Sequence, residues 1–111
     1  MRLLEFEVKQ QRLSKMPGCD FSHIVAGTDG YLRAKFNFSK EWEGCVKVAS
    51  FFDEDRREYC VVLDKDDSCD IPAGALVGGY FDVEVTGAKT GLVNESYKIK
   101  TIEYRVKQII S

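Results

Sequence analysis

The sequence predicts an all-β fold: a single antiparallel β-sandwich, immunoglobulin-like or related, of about seven to eight strands with one or two short helical turns. Three observations lead there. Apolar and polar residues alternate with period two along most of the chain, turn signals recur at roughly ten-residue spacing, and no apolar stripe of helical period exceeds two turns. The 111 residues suit one domain, residues 1–111, built around one core.

Leu4, Phe6 and Val8 alternate with Glu5, Glu7 and Lys9, as in a half-buried strand near a sheet edge. Pro17-Gly18 and Thr28-Asp29-Gly30 are turn signals, so Phe21 to Ala26 is expected as a short strand between them. From Tyr31 to Phe38 the apolar set Leu32, Ala34, Phe36 and Phe38 defines the clearest strand, with one dry face. Ser39 then caps a helical turn holding Lys40, Glu41 and Trp42, released by Gly44 at positive φ, and Trp42 plugs one end of the core.

Cys45 to Phe52 and Tyr59 to Leu63 pair as a hairpin with the charged tip Asp53-Glu54-Asp55-Arg56-Arg57. A second acidic loop spans Asp64 to Asp70, and Ile71 to Leu76 forms a short helical turn or crossover. Phe81, Val83 and Val85 mark the next strand, Gly87 to Asn94 a flexible loop, and Tyr97 to Ile110 a long final strand or pair. Its apolar phase slips near Thr101, from odd positions at Tyr97 and Ile99 to even ones at Ile102, Tyr104 and Val106, which asks for a bulge or break.

An apolar share of 44%, with two prolines, supports a folded chain rather than a linker. A net charge of −2 gives no general attraction to nucleic acid or an anionic membrane, so no direct nucleic-acid or membrane contact is expected. The N-terminus carries charges every second or third residue, unlike a signal peptide or membrane span, which places the protein in a cytoplasm. Cys19, Cys45, Cys60 and Cys69 contain no C-x-x-C pair and are expected as thiols.

The search for catalytic chemistry finds little. His23 is the sole histidine; inside a strand it reads as structural or surface, with Ser22 on the opposite face. No nucleophile-elbow, phosphate-loop or dinucleotide motif occurs. Asp64 to Asp70 places carboxylates at alternate positions as calcium loops do, but Cys69 stands where the turn glycine belongs and Ala75 where the bidentate glutamate belongs. No cofactor, metal or catalytic residue is assigned, and the chain reads as a non-enzyme. Charge distribution says more. Asp53, Glu54, Asp55, Arg56, Arg57, Glu58, Asp64, Asp66 and Asp67 crowd the middle of the chain and are the candidate partner-binding residues.

The run Tyr31-Leu32-x-Ala34-x-Phe36-x-Phe38-Ser39-x-x-Trp42-x-Gly44, then Lys47-x-Ala49-x-Phe51, Ile71-Pro72 and Val83-x-Val85-x-Gly87 resembles small accessory proteins encoded by bacteriophages and prophages of Gram-positive bacteria. The resemblance spans residues 31 to 87, and the Tyr97 to Ser111 run is longer than that family's ending. It implies a phage-encoded β-sandwich of the head, tail or baseplate, located in the host bacterial cytoplasm or incorporated in the virion. The expected function is therefore a non-enzymatic virion or assembly accessory acting by protein–protein contact, with self-association as an option. The alternative is a phage-encoded, anti-CRISPR-like inhibitor of a host defence nuclease, whose acidic residues imitate nucleic-acid phosphates.

Overall fold

The computed structural model describes residues 1–90 and 96–110. Among them nine strands form: β1 (Arg2–Lys9), β2 (Arg12–Lys15), β3 (Leu32–Phe38), β4 (Val46–Phe52), β5 (Glu58–Val62), β6 (Ser68–Asp70), β7 (Tyr80–Thr90), β8 (Ser96–Lys100) and β9 (Tyr104–Lys107). Two 3-10 turns, Lys40–Trp42 and Ala73–Leu76, are the helical turns the sequence led us to expect. One sheet has the order β2-β1-β3-β6; the other runs β5-β4-β7, with β8 and β9 both on the far edge of β7. The chain is an all-β sandwich.

The alternation read from the sequence sets the core. Leu4, Phe6 and Val8 of β1 and Leu32, Ala34 and Phe36 of β3 face Ala49, Phe51, Phe81, Val83 and Val85 of the second sheet, all buried. Phe6 stacks on Phe36 at 5.1 Å, Phe36 on Phe38 at 6.0 Å, and Phe38 meets Trp42 at 5.0 Å. Each such ring pair contributes about 0.5–1.5 kcal/mol beyond its area. Trp42 is fully buried at the end of this row, and its indole N–H donates to the Gln10 carbonyl at 2.9 Å. Gly44 has φ 77, as releasing the turn requires.

Several expectations are corrected. Phe21 to Ala26 is not a strand: His23 at φ 57 breaks the extended run, and only an isolated parallel bridge, Val25 to Ile109, remains. Strands β2 and β6 were not expected; the first has one apolar residue and the second only three residues. The pairing is not wholly antiparallel, because β1 lies parallel to β3. Ser39 makes no side-chain cap; its hydroxyl instead accepts the Gln10 N–H at 2.9 Å. Strand β7 continues to Thr90, so the loop expected from Gly87 begins later, and its remainder from 91 to 94 lies outside the described residues. Gly87 serves packing, since a Cβ there would meet the Trp42 ring at 2.8 Å.

The phase slip at Thr101 is a bulge. Thr86 opposes Lys100 and Val83 opposes Tyr104, so Glu84 and Val85 face the three residues Thr101, Ile102 and Glu103. The Thr101 N–H donates to the Val85 carbonyl at 3.0 Å, and the Thr101 hydroxyl accepts the Val85 N–H at 3.0 Å. One side chain thus satisfies the main-chain donor that the extra residue leaves without its ladder partner.

Candidate functional site

Both acidic runs are the same turn. In the β4–β5 tip, Asp53 Oδ1 accepts the N–H of Asp55 and of Arg57, each at 2.9 Å, and Arg56 sits at φ 63. In the β5–β6 loop, Asp64 Oδ1 accepts the N–H of Asp66 at 2.9 Å and of Ser68 at 3.1 Å, and Asp67 sits at φ 58. The main chain closes each alike: Arg56 N–H to Asp53 O (3.0 Å) and Asp67 N–H to Asp64 O (2.9 Å). An aspartate that begins a turn and binds the N–H two residues on is ordinary turn chemistry. The acidity of these stretches is in part the local cost of making two such turns.

Several other charges of the two turns are engaged. Glu54 accepts the Gly79 N–H. Arg56 stacks on Phe52 and bridges Asp82 (3.0 Å) and Glu103 (2.7 Å), while Arg105 stacks on Tyr80 and meets the same Asp82 at 2.9 Å. Asp82 is 3% exposed, and the two guanidinium groups supply the compensation a buried carboxylate needs. Arg33 of β3 pairs with Asp64 at 3.0 Å and Asp70 at 2.8 Å, and Lys47 pairs with Asp67 at 3.1 Å. Main-chain donors at Ser68 and Asp66 hold the Asp64 carboxyl below its ordinary range. Hydrogen bonds from Ser50 and Cys60 likewise lower Glu58.

The structure does not gather the candidate residues into one surface. Asp53 to Glu58 lies at the start of β5 and Asp64 to Asp67 beyond its end, a separation of about 23 Å between Arg57 and Asp64 for an extended chain. Asp53 is buried at 4% exposure. Exposed and outside any ion pair among the described residues are Glu54, Asp55, Arg57, Glu58, Lys65 and Asp66.

Between the two turns lies what the sequence reading passed over, the free edge of β5. The bonds Asp53 N–H to Arg57 O (3.1 Å) and Leu63 N–H to Lys47 O (2.9 Å) fix the antiparallel alternation, so Arg57, Tyr59, Val61 and Leu63 bond to β4. The main-chain groups of Glu58, Cys60 and Val62 then point away from the sheet. The remaining edges are short or basic: β6 has three residues, β2 carries Arg12 and Lys15, β8 carries Lys98 and Lys100, and β9 carries Arg105 and Lys107. Strand β5 reads Glu-Tyr-Cys-Val-Val, with neither lysine, arginine nor proline. Natural sheets protect such edges with those residues, and the bare edge is the signal that could have pointed here.

Apolar surface adjoins it. Val62 is 62% exposed and Val46 63%, and they line a groove of about 390 Å³ with Lys47, Leu63, Asp64 and Asp67. Cys60 is an exposed free thiol on the outer face, 3.4 Å from the Ser50 hydroxyl, and its thiol donates to Glu58 Oε2 at 3.2 Å. Cys69, by contrast, is pushed up to about 12 by burial.

The positive φ of His23 has a second consequence. Ser22 and His23 do not face apart: the hydroxyl lies 3.0 Å from the imidazole Nδ1 and donates to Asp20 Oδ1 at 2.5 Å. The serine, not the histidine, occupies the middle of this chain, and its proton is committed to the carboxylate, the reverse of a nucleophilic triad. Among the described residues no group of three His, Cys, Asp or Glu side chains is placed to hold a metal ion, and no helix is long and apolar enough to cross a membrane. No protein-family model matches the chain, and no curated protein or solved structure matches it at a significant level.

Proposed function

We propose that this protein is a non-catalytic accessory component that works by protein–protein contact, with β5 and its two flanking turns as the contact surface. The observation that carries the reading is the bare edge of β5, beside the exposed Val46 and Val62. An open edge offers main-chain hydrogen bonds to an added strand, and adjoining side chains give that addition its specificity. The resemblance of residues 31 to 87 to phage-encoded accessory proteins supplies the setting, a virion or its assembly in a bacterial host. Phosphate mimicry toward a host nuclease draws less support, because the carboxylates divide between two distant turns, and Asp64 and Asp67 are held by Arg33 and Lys47.

Mass spectrometry of particles purified from the encoding phage or induced prophage tests this. Near-stoichiometric presence is expected for the wild type, and Val62→Lys, which charges the edge, should deplete it. Expression in infected cells with absence from particles overturns the virion setting, and equal incorporation of the variant overturns β5 as the surface.

A further inference from the structure

We propose that β5 pairs antiparallel with β5 of a second copy of this chain, about a two-fold axis at Cys60, joining the two larger sheets edge to edge. The inference rests on the reading of β5 as the contact surface and names its occupant. An isologous contact requires a surface that complements itself, and β5 does so in one register. With Cys60 opposite Cys60 of the second copy, Glu58 lies opposite Val62 and Val62 opposite Glu58. All three residues whose main-chain groups point outward then find an outward-pointing partner. Sliding the strands by two residues in either direction leaves one of the three unmatched on each copy.

Two further observations favour the same register. It carries the Asp55 to Glu58 tip of one copy alongside the Lys65-Asp66 loop of the other, at both ends of the contact. Asp55, Arg57, Glu58, Lys65 and Asp66 are exposed there and outside any ion pair among the described residues, and this register sets Asp55 opposite Lys65. The same placement covers the exposed Val62 with the methylenes of the facing Glu58. An unrelated extended peptide would gain the main-chain bonds, but this charge match follows from the chain's own sequence.

The geometry provides its own probe. Directly opposed residues of a hydrogen-bonded antiparallel pair lie about 5.5 Å apart at Cα, within the span a disulfide bridges. Sedimentation of the purified full-length chain over a concentration series should show a reversible dimer. Brief oxidation with copper phenanthroline should link it through Cys60 to Cys60, not through Cys19 or Cys45. Val62→Lys should sediment as a monomer and unfold thermally like the wild type at concentrations where the wild type is itself monomeric. Cys60→Ser should remain dimeric and lose only the crosslink. A wild type that stays monomeric at millimolar concentration overturns the proposal, as does a dimer that survives Val62→Lys or crosslinks elsewhere. A monomer whose incorporation into particles is still abolished by Val62→Lys overturns the second copy as occupant and leaves β5 as the contact surface.

Discussion

The β4–β5 tip and the β5–β6 loop share a backbone and differ in what lies beneath them. Each begins with an aspartate that accepts two main-chain N–H groups, and each places its fourth residue at positive φ. Asp53, however, is buried against the second sheet, whereas Asp64 stays largely in solvent, tied to Arg33 as the chain crosses between sheets. The difference teaches that one sequence pattern, Asp-x-Asp followed by a left-handed residue, can anchor a hairpin or span a sandwich. Its energetic weight is set by burial, not by charge.

Substitutions should separate the two turns. Asp53→Ala leaves two partly buried N–H groups without their charged acceptor and should lower stability by about 3 kcal/mol, read as a shift in the urea midpoint. Asp82→Ala releases Arg56 of the tip and Arg105 of β9 and should cost about 2 kcal/mol. If Asp53→Ala proved the milder of these, the tip would owe its shape to the arginine bridge, not to its own turn. Asp64→Asn should shift the midpoint less than either. Because the folded state lowers the Asp64 carboxyl, its contribution is present above its ordinary value near pH 4. It is lost as pH falls through the lower folded value. The gap between wild type and Asp64→Asn should therefore be full at neutral pH and close progressively below pH 4, measured by urea titrations at each pH. Asp55→Ala and Asp66→Ala, at matching third positions and exposed, should each stay within about 0.5 kcal/mol of the wild type.

Much of the fold was legible because period-two alternation reports burial directly. Strands β1, β3, β4, β5 and the start of β7, the Trp42 turn, and the slip at Thr101 all follow from which residues are apolar. Alternation says nothing about the partner or direction of a strand, which is why the parallel β1–β3 ladder was not read. It also failed at residues 21 to 26, where Phe21 packs against Phe6 at 5.2 Å and Ile24 is buried although the backbone is irregular. Gly87 misled for another reason: a glycine that makes room for an indole looks like one that ends a strand. At the candidate site the sequence located both turns, but their charge drew attention from the uncharged strand between them. Which strand forms a sheet edge is a property of the assembled topology.

The parallel ladder also bears on how the chain reaches its fold. Its register runs from Arg2↔Leu32 to Val8↔Phe38, so every contact in it closes a loop of about thirty residues, and no local hairpin can nucleate it. As the chain is synthesised, the β1–β2 hairpin emerges well ahead of its partner, and one side of β1 waits unpaired until β3 has left the ribosome. The Arg2 guanidinium, which donates to the carbonyls of Asp20 (2.9 Å) and Ser22 (2.6 Å), ties down the intervening crossover. The speed of translation through this first third therefore governs how long a sticky nascent edge is displayed, and chaperone demand should be concentrated there.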